Sequence, residues 1–260
     1  MSERRFSQVA LPLIVAHRGA SAEEAENTLE SFQLALDVGA GAVEFDVRIT
    51  ADGHAVVLHD PSLDRTTDDA GLVCSRTLAE VRGARIATAD GGTTRVPTLA
   101  EALGLLSGRA AVDVEIKNIP GEPDFDPARE LAVEAVHRAL DDVGFVGGVI
   151  VSSFNPLSIA ASRAARPDIA TGLLTEHSVQ AAAALRFAAE QAHDWVLPFV
   201  GMVAEAGPSF PGAVHHAGLL LGTWITDDPA EAVALVGSGV DAVATNDPRR
   251  IVAAVEASGE

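Results

Sequence analysis

Short apolar runs alternate with alanine- and leucine-rich stretches of helical spacing along nearly the whole chain. That alternation limits the fold more than any other feature, because it is the pattern of repeated βα units. Strands are predicted at Leu13–Ala16, Ala42–Val47, Ala111–Ile116, Gly148–Ser152, Ile169–Leu174, Trp195–Pro198, Leu219–Trp224 and Asp241–Ala244. Helices are predicted at Leu29–Val38, Leu99–Leu106, Arg129–Asp142, Pro156–Ala165, Val179–Gln191, Pro211–Ala217 and Pro229–Gly237. The first helix is the clearest, with Thr28 placed to cap it and apolar residues at i, i+3 and i+4 behind the cap. Eight such repeats in 260 residues fit the size of a (β/α)8 TIM barrel. A doubly wound parallel sheet is the alternative, and periodicity leaves it open. One stretch breaks the pattern. A short strand at Ala55–Leu58 is followed, from about 60 to 97, by turn residues, charges and Gly91-Gly92 with little regular spacing. The expectation is an α/β chain forming a single barrel domain over 1–260, with a small insertion after strand two lying over the C-terminal mouth.

Composition narrows the partners. The 37 acidic residues against 18 basic ones give a formal charge of −19, which argues against nucleic acid or an anionic membrane. A hydrophobic fraction of 48% is too high for an acidic disordered segment. Cys74 is the single cysteine and cannot form an intramolecular disulfide. Behind Arg4 and Arg5 runs an apolar stretch, Val9–Ala16, broken by Pro12; it is too short for a transmembrane helix or a signal-peptide core. A cytoplasmic protein without membrane insertion, acting on a small molecule, is expected. Nothing in the sequence sets its oligomeric state.

In a βα barrel the chemistry sits where strands run into loops at the C-terminal face. Strand one ends in His17-Arg18-Gly19, and the short strand after strand two ends in His59-Asp60-Pro61. Strand two carries Glu44 and Asp46, and strand three carries Asp113, Glu115 and Lys117, all at alternate positions. Residues at i and i+2 of a strand share a face, so these side chains project together. Carboxylates flanked by Val43, Phe45 and Val47 lose hydration and repel one another unless a cation compensates. Glu44, Asp46 and Glu115 can form a cradle for a hard divalent ion. They can equally form a buried ion-pair network with Arg18, Arg48 or Lys117. His17 and His59, both at strand ends near this group, can act as a base and an acid. Arg18 offers a planar fork to phosphate oxygens, and Lys117, the one lysine among the 18 basic residues, a point charge. These residue types together suit phosphoryl chemistry on an anionic ester. No phosphate loop of the Gly-x4-Gly-Lys kind and no Gly-x-Ser-x-Gly elbow is present.

At these residues the sequence resembles the glycerophosphodiester phosphodiesterase family, bacterial type. The matching segments are AHRGAS (16–21), ENTLESFQLALDVGAGAVEFDVRITADGHAVVLHDPSLDRTTD (26–68), VPTLAEAL (96–103), VEIK (114–117), SSFN (152–155), GTWITD (222–227) and VDAVATNDP (240–248). They come in the family's order and span essentially the whole chain. The resemblance implies metal-dependent hydrolysis of a glycerophosphodiester to glycerol 3-phosphate and an alcohol. It makes His17 and His59 the acid–base pair, and Glu44, Asp46 and Glu115 the ligands of one divalent cation, Mg²⁺ or Ca²⁺, with Mn²⁺ as a third candidate. Arg18 and Lys117 match residues that contact phosphate, Glu26 and Asn27 a loop at the same mouth, and Phe154 and Trp224 apolar walls of the substrate pocket. Phe154 reads equally well as barrel core. Three positions depart from the family's pattern: Ala25 stands where a proline is common, Asp227 where an asparagine is expected, and Asn246 where an aspartate is usual. A lysophospholipase-type relative would need an apolar acyl groove, and a catalytically silent barrel would normally have lost one of the five acid–base or metal positions.

Overall fold

Eight of the apolar runs pair edge to edge and close on themselves. The computed structural model describes residues 9–259, so Arg4 and Arg5 lie outside the described residues. The strands are β1 (Leu13–His17), β2 (Ala42–Ile49), β3 (Ala55–Val57), β4 (Ile86–Ala87), β5 (Thr93–Thr94), β6 (Ala111–Ile116), β7 (Val149–Ser153), β8 (Ala170–Thr175), β9 (Trp195–Pro198), β10 (Leu220–Thr223) and β11 (Ala242–Thr245). All pairings run parallel in the order β1-β2-β6-β7-β8-β9-β10-β11, and β11 returns to β1 with Leu13 opposite Ala242. That last pairing closes the sheet. The fold is a (β/α)8 TIM barrel, and the doubly wound alternative is excluded.

The strand alternation divides the apolar side chains into two sets. Leu13, Val15, Ile150, Trp195, Leu197 and Ala244 pack inside the barrel, and Val43, Phe45, Val112, Val114 and Val151 face outward onto helices. The interior is tight. Leu197 lies between Gly172 of β8 and Gly222 of β10, where an added Cβ would come within 2.7 Å and 2.6 Å of its methyl groups.

The helices begin where local chemistry allows. Thr28 accepts from the Ser31 amide and Ser31 reaches back, a capping box at the start of Leu29–Asp37. Thr98 and Glu101 make the same arrangement at Leu99–Leu106. Two helices of the barrel's outer layer go beyond the sequence expectation. Val200–Ala206 has no side-chain cap, its first amide being satisfied by the Trp224 carbonyl at 2.8 Å, so the local signal is weak. Pro248–Ser258 has a readable start, with Asp247 accepting from the Arg250 amide and Pro248 in the first turn.

The stretch from about 60 to 97 is more regular than its spacing suggested. β3 pairs antiparallel with the end of β2, β4 and β5 form a hairpin, and a short helix spans Leu78–Val81. These pieces bury Val56, Leu58, Leu63, Val73, Val81 and Val96 in a small core of their own. Among the described residues, no helix is long and apolar enough to cross a membrane.

Candidate active site

Strand register brings the polar residues together. Parallel pairing sets His17 beside Glu44 across β1 and β2, Glu44 beside Asp113, and Asp46 beside Glu115 across β2 and β6. A cavity of about 200 Å³ opens at the C-terminal ends of these strands, lined by His17, Arg18, Glu44, His59, Asp113, Glu115, Lys117, Phe154 and Trp224. These residues come from five barrel strands, β1, β2, β6, β7 and β10, with the loops that follow them, and from the turn after β3, so no single segment contains the site.

Glu44, Asp46 and Glu115 are all buried, and one oxygen from each lies within 4.8 Å of the others. Burial, then repulsion from Asp46 and Glu115, pushes the Glu44 carboxyl well above its ordinary range. Glu115 rises to about 7, again chiefly through burial, with Lys117 opposing the rise. Asp46 goes the other way: burial would raise it, but Lys117 and Arg18 outweigh burial and hold it well below the carboxylate range. Lys117 Nζ lies 3.0 Å from Asp46 Oδ1 and also touches Glu115 Oε1. Arg18 Nε lies 3.3 Å from Asp46 Oδ2. Two of the cations named for an ion-pair network are therefore present. Arg48 is not: its guanidinium meets Glu122 at 2.9 Å and Asp124 at 2.7 Å, and its Nε donates to the His59 carbonyl at 2.7 Å. The network leaves the cluster incomplete, because Glu44 Oε1 is buried without a hydrogen-bond partner. An all-oxygen donor set with an unpartnered carboxylate oxygen and two carboxylates driven toward protonation fits a hard divalent cation.

Two loops shape the mouth. Arg18 and Asn27 both adopt left-handed backbone, φ 57° and 58°, a conformation that costs a non-glycine residue and persists only where surrounding bonds demand it. Here they do. The Arg18 amide donates to Glu44 Oε2 at 3.0 Å, the Asn27 amide to the Arg18 carbonyl at 3.0 Å, and Asn27 Nδ2 to Asp46 Oδ2 at 2.7 Å. Glu26 lies between two guanidiniums, Arg18 at 3.1 Å and Arg65 at 2.7 Å. Arg65 also holds Asp60 at 2.7 Å, and Asp60 Oδ1 lies 2.6 Å from His59 Nδ1. Glu26 and Asn27, expected in a loop at this mouth with a part in substrate binding, act on Arg18, Arg65 and Asp46, and neither lines the cavity.

Each histidine has its Nδ1 occupied from outside the cavity. His17 Nδ1 lies 2.8 Å from Asn246 Oδ1, and its Nε2 lies 3.9 Å from Glu44 Oε2. Burial, then the charge of Arg18, lowers the His17 ring to about 4. Burial also lowers His59, with Asp46 and Asp60 acting in the opposite direction. On the far wall Trp224 meets Phe154 edge-on at 5.3 Å and Phe199 at 5.5 Å, and Lys117 Nζ lies 5.9 Å from the Phe154 ring centre. Phe154 is therefore cavity wall as well as packing.

A model of the glycerophosphoryl diester phosphodiesterase family matches residues 17–250. The chain belongs to that family. It is accordingly a phosphoric diester hydrolase. A glycerophosphodiester phosphodiesterase of Caldanaerobacter subterraneus subsp. tengcongensis is 31% identical over 255 residues, covering 95% of this chain and 99% of the relative. Among solved structures, an Oleispira antarctica phosphodiesterase in complex with the product sn-glycerol-3-phosphate superposes with a TM-score of 0.82. It is 27% identical and covers 95% of this chain and 97% of its own. A glycerophosphodiester phosphodiesterase from Agrobacterium tumefaciens gives a TM-score of 0.76 at 27% identity, covering 94% and 100%.

Within this family member the site contains residues that reading the sequence did not assign. Asp113 lines the cavity one alternate position below Glu115, accepts from Ser152 Oγ at 2.6 Å, and is raised to about 7 by burial. Its alternation with Glu115 was a usable signal. Asp60 follows His59 directly and could also have been found. Arg65 could not, since it does not stand next to the group it serves, and Asn246, marked only as a departure from the pattern, gave no sign of its partner His17.

Proposed function

We propose that the chain hydrolyses glycerophosphodiesters to glycerol 3-phosphate and a free alcohol, using His17 and His59 as acid–base pair around one divalent cation. The observation that carries this reading is the meeting in one cavity of two histidines, each tied at Nδ1, and two cations, against a cluster of three buried carboxylates of which Glu44 and Glu115 line the cavity. The Oleispira relative holding sn-glycerol-3-phosphate supports the product class. Glu44, Asp46 and Glu115 would hold the cation, which when bound supplies Lewis-acid polarisation of the phosphodiester and its glycerol hydroxyl.

The protein's own residues divide the remaining work. Arg18 and Lys117 face the cavity and bind the phosphate oxygens, Arg18 as a fork and Lys117 as a point charge. His17 Nε2 removes the proton of the glycerol 2-hydroxyl as that oxygen attacks phosphorus. His59 Nε2 gives a proton to the departing alcohol oxygen. Water then opens the cyclic phosphate with the roles reversed: His59 takes the water proton, and His17 returns its proton to the 2-oxygen. Asp60, held down at about 2 chiefly by its hydrogen bonds from Arg65, stays ionised and steadies the His59 imidazolium. Phe154 and Trp224 exclude water on the glycerol side. The insertion at 60–97 supplies Asp60 and Arg65 to this arrangement and covers that edge of the mouth.

A panel of glycerophosphodiesters assayed for glycerol 3-phosphate with Mg²⁺, Ca²⁺ and Mn²⁺ tests the reading. Release that stops on adding EDTA and returns with excess metal is expected. No release from any head group at full metal occupancy would rule it out.

A further inference from the structure

We propose that Asp227 and Asn246 form a positioning pair that fixes which ring nitrogen of His17 carries the proton. The proposal rests on the acid–base reading of His17 and adds Asp227, together with the direction in which Asn246 must turn, neither of which that reading uses. Asp227, in the loop after β10, receives donors on both oxygens. Its Oδ1 accepts from Thr245 Oγ1 at 2.8 Å and from the Asn246 amide at 2.7 Å, and its Oδ2 lies 2.9 Å from the Asn246 side-chain nitrogen. A carboxylate only accepts. Asn246 must therefore turn its NH₂ toward Asp227, because the flipped amide would set two acceptor oxygens face to face. The Asn246 Oδ1 consequently points the other way, to His17 Nδ1 at 2.8 Å. An amide oxygen cannot donate, so Nδ1 of the ring must. The neutral ring then has its proton on Nδ1, and Nε2, the nitrogen 3.9 Å from Glu44 Oε2, is left bare to accept one.

The loop after β1 is clamped to the same residue. The Ala22 amide donates to the Asn246 backbone carbonyl at 2.9 Å. Ser21 Oγ lies 3.2 Å from Asn246 Oδ1 and donates to the His17 carbonyl at 2.7 Å. His17 is thus held by ring and by backbone.

Asp227 and Asn246 are also two of the three positions where the chain departs from the family's pattern. The two positions are bonded to each other, a carboxylate standing where the resemblance implies an amide and an amide where it implies a carboxylate. This arrangement has a consequence for His17. A carboxylate at 246 would accept from Nδ1 however it turned, whereas an amide accepts through one of its two end atoms only. In this chain the neighbour at 227 must choose the atom, and Asp227 is the residue that does so.

Nitrogen-15 NMR of histidine-labelled protein, at a pH where the ring is neutral, reads the tautomer without substrate; the wild-type ring is expected to be protonated on Nδ1. In Asp227→Asn the Asn246 backbone N–H still requires the oxygen at Oδ1, so the new NH₂ faces the Asn246 side chain, the amide at 246 turns over, and the ring should shift toward the Nε2-protonated tautomer. Turnover should fall by about 10- to 100-fold with KM little changed, the range for residues that orient a reacting group through another. The double variant D227N/N246D returns a carboxylate to Nδ1 and should restore both the tautomer and kcat. A wild-type ring protonated on Nε2 overturns the proposal, and so does D227N with tautomer and kcat unchanged. The wild-type spectrum needs no substitution and the swap restores the original pair of groups, so a poorly folded single variant leaves the test intact. An Nδ1–H ring in a protein inactive toward every glycerophosphodiester would instead reject the functional reading and leave the pair standing.

Discussion

A neutral amide stands behind the ring of His17 and an ionised carboxylate behind that of His59. Burial lowers both rings, but the carboxylate behind His59 opposes that lowering, so an imidazolium costs less at His59 than at His17, in the sense that the proposed base and acid roles need. Replacing either ring by alanine should lower kcat by about 10² to 10⁴-fold, the usual worth of a positioned proton donor or acceptor. Product binding followed by calorimetry should change far less; unchanged turnover in either variant would remove that histidine from the chemistry. Lys117 is equally specific in place. Burial works to discharge its ammonium, yet Glu115 and Asp46 outweigh burial and keep it charged. Both histidines, the three clustered carboxylates and Lys117 were legible in the sequence, because strand ends and alternate positions mark them. The partners that orient the histidines were less so. Asp60 is a chain neighbour of His59, but Asn246 lies 229 residues from His17 and carries no local mark of that pairing.

Among the elements, β2 and β6 do most to build the site, and their register sets it. A slip of one residue in either would turn Glu44, Asp46, Glu115 and Lys117 out toward the helices. That register is held from the opposite face, where Val43, Phe45, Val112 and Val114 are fully buried against helices. Alternation in the sequence predicted which residues share a face, but not which face is the cavity. Interior fit is also an element-scale property. At Gly222, alanine would place its Cβ 2.6 Å from a Leu197 methyl, and Leu197 has little room to retreat because its other methyl meets the space beside Gly172. Gly222→Ala should therefore destabilise the protein by about 1–3 kcal/mol. A denaturant midpoint equal to that of wild type would show that Leu197 repacks freely.

For the molecule as a whole, the interior enforces protonation states far from the site. His193, two residues beyond the helix predicted to end at Gln191, is buried, with Nδ1 3.0 Å from Thr171 Oγ1. Burial, then the charge of Arg163, lowers its ring to about 4. The unfolded chain binds a proton at this residue below about pH 6.5 while the folded chain does not. Its contribution to stability is thus fully present above that pH and is lost as pH falls toward 4. The variant His193→Gln should lose less stability than wild type between pH 6.5 and 4, by roughly 1–2 kcal/mol at pH 5. Melting curves across that range measure the difference, and parallel curves for the two proteins would contradict it.

The sequence by itself determined the βα repeat, the face each strand residue shares with its alternate neighbours, and the residue types at the strand ends. Those properties depend on spacing of two and of 3.6 residues, which local chain geometry imposes. Only the tertiary structure decided that the sheet closes into a barrel, since closure depends on β11 finding β1 across more than 200 residues. The same closure brings Asn246 to His17, and the Asn246 amide in turn bonds to Asp227. Tertiary structure likewise divided the cations, assigning Arg18 and Lys117 to the carboxylate cluster and Arg48 to Glu122 and Asp124. Charge pairing follows distance in space, and spacing along the chain does not record it.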